Sequence, residues 1–516
     1  DKKMAQIQEV IQTEHNFIPV IPNFLVTKSE IIQYSIVNPK YKRVLLVMPN
    51  FRMKEANRFI QRIYPPIGLM YLASYLSDLN VEVEIIDAKY HNLSNNELRN
   101  KIKAFNPDLV GISVLVSASI NNCNEIAKIV KEVKNDCTVV FGGRHATALT
   151  EDTLSFKEVD IVVRGEGELT FRELIINGVG RNVKGISYKK SGKIIHNQDR
   201  ELMSLDNLKF PARNQIKNNK YKLLGMRIET IQTSRGCPYR CRFCTTPVSN
   251  KGSWRSIPVE KIITELKMIS QNRKITDIII VDDNFAVNTR RIEELCSKII
   301  EGKEKGELND FKFYAQIRVD TILKAPEMVK KMSEAGFWSV LIGVESVNNE
   351  TLKDMDKKIS LRDTLKAIEI LHSHNIIVYG SMIIGFDLEA SEEDIIKEIN
   401  FMENVNVDIL VLNVLTPYPG TPIFKELDNK NLIVTKDWEK YVPFKPVIRT
   451  FQLSSQKLND LMRYAFKKHA YHKRFRGILE RLIATRGIDF ILNPFRIIST
   501  IVAVLKANIS INKYFD

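Results

Sequence analysis

The segment Ser234-Arg235-Gly236-Cys237-Pro238-Tyr239-Arg240-Cys241-Arg242-Phe243-Cys244 places three thiols within eight residues. Spacings of three and two residues let the thiolates of one short loop converge on a single centre. Three ligands cannot complete a four-cysteine zinc or iron–sulfur site, and no fourth Cys or His lies nearby. A cube-shaped iron–sulfur cluster held this way keeps one iron open to a ligand that is not protein. A zinc knuckle completed by a remote residue is the structural alternative. Cys123, Cys137 and Cys296 stand singly on segments that read as helix or strand, and are expected to be small buried apolar residues. Six cysteines in 516 residues are too few for an oxidised scaffold, so the clustered three point to metal chemistry in a reducing compartment.

Such a loop needs elements to hold it. It follows the alternating run Ile228–Gln232, and further apolar runs recur at Asp277–Val281, Phe311–Ile317, Ser339–Val344, Ile376–Ile384 and Val407–Leu415, each preceded by a helical pattern. Six strands with intervening helices predict a full or partial α/β barrel, whose chemistry sits at the strand C-termini. Upstream, runs at Val44–Met48, Val83–Ile86, Leu109–Ser113, Thr138–Phe141 and Asp160–Val163 alternate with helical patterns at Gly68–Leu79, Asn95–Phe105 and Ile120–Val133. Continuous Val/Ile/Leu runs are what strands covered on both faces look like. They predict a doubly wound parallel sheet whose ligand lies beyond the strand C-termini, near the point where strand order reverses. The expected organisation of this α/β chain is therefore an irregular arm (1–42), a Rossmann-like domain (43–180), a linker with a small hairpin around Ser191-Gly192 (181–222), a partial (β/α)6 barrel (223–425) and a helical, basic C-terminal extension (426–516).

With Gly-Cys-Pro-Tyr-Arg leading the cysteines, Phe243 between the second and third, and a barrel-like series behind them, the sequence resembles the radical S-adenosylmethionine (SAM) superfamily. The resemblance implies that Cys237, Cys241 and Cys244 hold one [4Fe-4S] cluster. It further implies that the amino and carboxylate groups of SAM chelate the open iron, and that one-electron reduction releases a 5′-deoxyadenosyl radical. The SAM contacts it implies are Phe243, Asp282 and Asp283 at the second strand end, Arg318 at the third, Glu345 in Gly343-Val344-Glu345-Ser346 at the fourth, and Gly385 at the fifth. Asp387 departs from the family form by standing where a proline is usual. Thr416-Pro417-Tyr418-Pro419-Gly420-Thr421-Pro422 ends the sixth strand close to that form.

The first domain resembles the cobalamin-binding domain found ahead of many radical SAM barrels, on Tyr64 to Ala73, Gly142-Gly143-Arg144-His145-Ala146-Thr147 and Arg164-Gly165-Glu166-Gly167-Glu168. The implied cobalamin contacts are Ser113, Ser117, Gly142, Gly143, Arg144, His145 and Glu166, with the glycine pair letting a planar ligand approach the backbone. Arg144 replaces the usual proline. No Asp-x-His-x-x-Gly is present; Asp87-Ala88-Lys89-Tyr90-His91 is off register for it, and His91 reads as a surface histidine. The expectation is a corrin bound without a protein histidine on cobalt.

Lys and Arg outnumber Asp and Glu 76 to 61, a formal charge of +15, which suits an acidic partner without choosing one. Residues 467–516 hold ten basic and three acidic side chains. There, Ile478-Leu479, Leu482-Ile483, Ile488, Phe490 to Leu492 and Phe495 run beside Arg474, Arg476, Arg481, Arg486 and Arg496. Such a stripe reads equally as a membrane-interface segment or as a cap packed on the barrel. The longest uncharged tail run, Ile497–Leu505, is nine residues, against roughly 20 for a span. With no signal peptide in the opening residues, the expected location is the cytoplasm, with contact at the inner membrane face if the tail is interfacial.

These readings converge on a cobalamin-dependent radical SAM C-methyltransferase acting on an unactivated carbon. One SAM would recharge methylcobalamin and a second would supply the radical, with a small-molecule or lipid-like substrate at the domain junction and a flavodoxin or ferredoxin as electron donor. Oxidative cyclisation, hydration or ring contraction with the same cofactors is the second reading. An RNA-associated protein is a remote third, because aromatics are not interleaved with the basic tail as a stacking platform requires.

Overall fold

The computed structural model describes residues 38–51, 64–180, 182–216, 220–223, 225–469 and 475–487, so the expected arm lies almost wholly outside the described residues. Val44 to Val47 are all fully buried: Val44 and Leu46 face one apolar layer, Leu45 and Val47 the other. That two-sided burial makes β1 (Arg43–Met48) a central strand. It is flanked by β2 (Glu82–Asp87) and β3 (Leu109–Ser113), with β4 (Thr138–Gly142) and β5 (Ile161–Val163) beyond β3, all parallel. The order β2-β1-β3-β4-β5 reverses between β1 and β3, and a crevice opens there at the strand C-termini. Helices Asn95–Phe105 and Ile120–Val133 cover one face. Ile67–Ser74 and Gly167–Asn177 cover the other.

The hairpin expected in the linker forms, but as part of this sheet. Strands β6 (Ile186–Lys190) and β7 (Lys193–His196) run antiparallel beyond β5, joined by Ser191 (φ 51°) and Gly192 (φ 75°). Two left-handed residues make the tight turn that suits a twisted two-residue hairpin. The three-residue β5 would otherwise leave an open edge.

The second series begins with β8 (Lys222–Leu223), an edge strand the sequence did not announce, antiparallel to β9 (Met226–Ile231). A separate ribbon of β10 (Ser234–Gly236) and β11 (Trp254–Ser256) follows, also unexpected. Then β12 (Asp277–Ile280), β13 (Lys312–Ile317), β14 (Phe337–Glu345), β15 (Ile377–Ile384) and β16 (Ile409–Val414) join β9 in consecutive parallel order. Because β9 and β16 lie toward opposite edges of this sheet, it forms a partial barrel. Within β12, Ile278 and Ile280 pack in the outer core with the helices, while Ile279 joins Ile228 and Tyr314 in the first domain's apolar layer. The two domains thus share a core.

Helix Ser455–His469, within the expected helical extension, buries Leu458, Leu461, Met462 and Ala465. Helix Phe475–Arg486 settles one part of the tail in favour of the cap. Its Ile478 and Leu482 pack against Met226, Trp338, Ile377 and Ile409, at the N-terminal starts of four barrel strands. Arg481 pairs with Asp408, which also accepts from His372 Nε2 (2.9 Å) and the Val378 amide (2.8 Å). Arg486 pairs with Asp277, their side chains 4% and 3% exposed, and lies 4.2 Å from the Trp338 ring centroid. Arg481 and Arg486 are therefore committed to the barrel floor and unavailable to a lipid surface. Arg474, Ile488, Phe490 to Leu492, Phe495 and Arg496 lie outside the described residues. Among the described residues no helix is long and apolar enough to cross a membrane.

Removing one member of a buried ion pair leaves the other unpaired, at a cost of about 3–5 kcal/mol. Arg486→Met should therefore lower the thermal midpoint markedly, and Arg486→Met with Asp277→Leu should recover most of the loss. A single variant melting like wild type would contradict the seated helix.

Candidate active site

The chain leaves β9 at Ile231 and enters the β10–β11 ribbon, which pairs Ser234 with Ser256 and Gly236 with Trp254. Gly236 has φ 88°, and a Cβ there would collide with the Ser253 carbonyl, so the tight exit into Cys237 requires glycine. Each thiol then meets a donor. Asn284 Nδ2 lies 3.7 Å from Cys237 Sγ, an Arg318 guanidinium nitrogen 3.7 Å from Cys241 Sγ, and the Thr246 amide 3.5 Å from Cys244 Sγ. Burial pushes the Cys237 and Cys244 thiols up, and these donors act in the opposite direction. Among the described residues no three Cys, His, Asp or Glu side chains converge on a single-ion site. The cysteines instead line the wall of a cavity of about 330 Å³, with Phe243, Asp283, Asn284, Arg318, Glu345 and Lys357. Thiolates spread around a volume, each with a donor and no fourth protein ligand among them, fit a multi-iron cluster with one open iron better than a lone zinc ion.

Of the expected SAM contacts, Asp282 and Gly385 do not line this cavity, whereas Arg318 lines it while hydrogen-bonding to protein partners. Asp282 is fully buried behind the first strand end, where it accepts from the Thr233 amide (2.7 Å) and the Thr233 and Ser234 hydroxyls (2.6 Å each). Burial nonetheless leaves its carboxyl raised. It anchors the strand and does not reach the cavity. Arg318 gives Nε to Asp320 (2.8 Å) and a terminal nitrogen to the Lys357 carbonyl (2.7 Å), and stacks 3.6 Å from the Tyr239 ring centroid. It is a brace for the cysteine loop. Gly385 faces Leu458 of the C-terminal helix, and Ser381 and Ile383 line the cavity in its place.

Phe243, Glu345 and Asp283 line the cavity as well. Phe243 meets Phe386 edge-on at 6.2 Å. Glu345 forms a buried ion pair with Lys357 at 2.6 Å. Asp283 accepts from Thr246 (3.0 Å) and from Arg144 of the first domain (2.6 Å).

Two adjoining cavities, about 300 and 610 Å³, open at the crevice of the first sheet. Ser113, Gly142, Gly143, Arg144 and Glu166 line the smaller; Ser113, Ser117, Arg144 and His145 line the larger. Gln232 and Ser249 of the barrel line both, so the strand ends of the two domains face one another. Asp283 lines both the smaller cavity and the cysteine cavity. Gly143 has φ 101°, and a Cβ there would sit 2.7 Å from the Val114 carbonyl. Its glycine therefore serves the close passage of two loops at the cavity wall. Glu166 is likewise taken: it accepts from Arg255 (2.5 Å) with Arg235 at 3.4 Å. Burial alone would raise its carboxyl, and the two guanidinium groups hold it below the usual range. Leu115, Val116 and Val248 remain 50%, 45% and 38% exposed at the rim of these cavities. That apolar rim, with small residues behind it, suits a broad, flat ligand. His145 is the one imidazole on these walls among the described residues; its Nδ1 lies 2.9 Å from Ser117 Oγ and its ring meets Trp438 edge-on. His91 is exposed and lines neither cavity.

Sequence reasoning singled out neither Lys357 nor the guanidinium pair Arg235 and Arg255. Lys357 sits on a loop without periodicity. Arg235 was within the quoted cysteine segment, and its carboxylate partners were quoted separately without a signal joining them.

A B12-binding domain family matches residues 58–175, and the Radical SAM superfamily residues 231–402. The chain is 34% identical over 435 residues to an uncharacterised methyltransferase of Pyrococcus horikoshii, covering 83% of this chain and 92% of that one. It is 26% identical over 462 residues to the anaerobic magnesium-protoporphyrin IX monomethyl ester cyclase of Cereibacter sphaeroides, covering 84% and 72%. With the hopanoid C-3 methylase of Methylococcus capsulatus it shares 28% over 371 residues, covering 69% and 67%. Two solved structures share its fold. TsrM from Kitasatospora setae, with cobalamin and a [4Fe-4S] cluster bound, gives a TM-score of 0.64 at 17% identity, covering 82% and 85%. OxsB, with aqua-cobalamin and SAM bound, gives 0.67 at 19% identity, covering 89% and 72%.

Burial pushes the His145 imidazole down to about 4, so the folded protein holds it neutral where the unfolded chain would protonate it. The stability this protects is complete above about pH 6.5 and is lost as pH falls toward 4, on the order of 3 kcal/mol in full. Thermal midpoints should fall through that window in wild type and fall less in His145→Gln. Parallel curves for the two proteins would assign the pH dependence elsewhere.

Proposed function

Because the chain belongs to the radical SAM superfamily, in the branch with a B12-binding domain ahead of the radical SAM domain, we propose that this enzyme transfers a methyl group to an unactivated carbon. The single observation that carries the reading is the placement of the cavities. Asp283 lines both the cysteine cavity and the first-domain cavity, so a substrate at the junction lies within reach of both. In this reading Cys237, Cys241 and Cys244 hold a [4Fe-4S] cluster with SAM beside it, and cobalamin occupies the crevice at Ser113, Ser117 and His145. When bound, the cluster and SAM supply a carbon radical and cobalamin supplies the methyl group.

The chain's own residues have defined parts. Asn284, Arg318 and the Thr246 amide donate to the three sulfurs, which spreads thiolate charge and tunes the reduction potential. Phe243 walls the cavity with apolar surface and is backed by the buried Phe386, which helps keep water from a reactive radical. The Arg144–Asp283 pair marks the boundary between the two cavities. A small acidic one-electron carrier, a flavodoxin or a ferredoxin, supplies the reducing electron. Cyclisation with the same cofactors is the second reading, favoured by the relative from Cereibacter sphaeroides.

Anaerobically reconstituted protein should contain about four irons per chain, and Cys241→Ala should neither retain them nor cleave SAM. About eight irons, or a Cys241→Ala protein that cleaves SAM, would overturn the assignment. SAM labelled on its methyl carbon separates the readings: methyl transfer puts the label in the product, and cyclisation leaves it out.

A further inference from the structure

The larger first-domain cavity, about 610 Å³, is walled by both domains and by charges that are nearly all taken. Asp87 accepts from the Tyr221 hydroxyl (2.8 Å) and the Tyr90 amide (2.9 Å). In this and the adjoining smaller cavity, Arg144 is paired with Asp283, Arg235 with Glu168, and Glu166 with Arg255. Lys89 is the exception. It sits half-buried in the short helix Ala88–His91 at the end of β2, and among the described residues its ammonium makes no hydrogen bond or ion pair. Burial pushes that ammonium down, and Asp87 acts in the opposite direction. Nothing local calls for a lysine, since Asp87 already caps the helix and an unbranched apolar side chain would make the same stem contacts. A charge taken from water without a partner costs free energy, so an unpaired ammonium on a cavity wall marks a site that a ligand completes. A second unmatched group lines the same cavity from the barrel. Tyr418, in the segment that ends the sixth strand, has no hydrogen-bond partner for its hydroxyl among the described residues, and burial pushes its phenol up to about 12.

From this juxtaposition we infer that Lys89 is the anion subsite of the junction cavity and that the substrate is an acidic amphiphile, its carboxylate or phosphate on the Lys89 ammonium and its apolar body against Leu115, Val116 and Val248. Those three exposed side chains rim the same cavity, Leu115 and Val116 from the first domain and Val248 from the barrel. A ligand that covers all three lies between the domains, beside the one unmatched charge of the cavity. A neutral amphiphile would cover the rim and leave the ammonium without water or partner; an acid satisfies both. Position separates this subsite from the cofactor contacts expected from sequence. In the order β2-β1-β3 the outer strand is β2, so Lys89 stands one strand aside from the crevice between β1 and β3. The glycine pair at the end of β4 and Glu166 after β5 lie on the far side of that crevice. The Tyr418 hydroxyl adds a hydrogen-bond donor on the barrel wall for a polar atom elsewhere on the ligand.

This inference rests on the junction cavity being the substrate site, and the test separates it from the functional reading. Radiolabelled dodecanoate, dodecyl phosphate and dodecanol share one apolar body and differ in the head. Their binding is measured by equilibrium dialysis on full-length protein loaded anaerobically with cluster and cobalamin, with iron and cobalamin content determined in parallel. Wild type should bind at least one of the two acids more tightly than the alcohol by about tenfold or more, the scale of one charge-assisted hydrogen bond, and the tighter acid distinguishes a carboxylate from a phosphate head. Lys89→Met should keep its iron and cobalamin, bind dodecanol as wild type does and lose the preference for the acid; Lys89→Arg should restore part of it. Wild type that binds none of the three, or binds the alcohol as tightly as both acids, would overturn the inference, as would a preference that survives in Lys89→Met. Loss of cobalamin from Lys89→Met would also overturn it, by assigning the ammonium to the phosphodiester of the cofactor. Protein that takes up neither cluster nor cobalamin would overturn the functional reading, while its discrimination between acid and alcohol would still decide the anion subsite.

Discussion

Arg235 stands two residues before the first metal-loop cysteine, and its guanidinium is buried against Glu168 of the first domain at 2.5 Å. Arg255, its partner across the β10–β11 ribbon, holds Glu166. Arg144 reaches the other way, from the first domain to Asp283. The segment after β5 is thereby bound to the ribbon that launches the cysteines, and the segment after β4 to the end of β12. Everything functional in the molecule depends on that clamp. Two parallel sheets each offer a site at their strand C-termini, and they can serve one substrate only if those ends face each other at a fixed separation. Apolar packing through Ile228, Ile279 and Tyr314 joins the domains without specifying that separation, because dispersion is not directional. Planar guanidinium groups meeting carboxylates fix both distance and angle.

The clamp also shows that charges at strand ends have partners within the protein. Asp282, Glu166 and Arg318 stand where a ligand would need them, and all three are used by the protein itself. A strand end that must place a metal loop or a second domain needs the same residue types as one that binds a cofactor. Sequence distinguishes neither use, since the partners that decide it are far apart: Thr233 for Asp282, Arg255 for Glu166.

The scaffold was legible for the opposite reason. Continuous Val/Ile runs and 3.6-residue spacing are local signals, and all eleven expected strands formed within about two residues of their place. What escaped was short and non-local. β8 has two residues and β10 three, lengths that carry no period, and the hairpin at Ser191-Gly192 was visible as a turn while its attachment to β5 was not. The tail divided along the same line. Its apolar stripe was evident, but the ion pairs of Arg481 and Arg486 were not, because Asp408 and Asp277 lie at the starts of distant strands.

The apolar rim completes the argument about what lies between the domains. Proteins rarely leave a contiguous cluster of large apolar side chains in water unless something covers it. Leu115 and Val116 stand on the first domain and Val248 on the metal loop's helix, and all three line one cavity. A ligand touching only the first domain would leave Val248 wet; one touching only the barrel would leave Leu115 and Val116 wet. The surface is best satisfied by material in contact with both sides, broad on the side of the sheet crevice and reaching past Val248 toward Asp283. The ion pairs hold the gap open at a set width, and the apolar rim makes an empty gap unfavourable. Filling it and fixing it are therefore separate tasks, assigned to different residues of the same few loops.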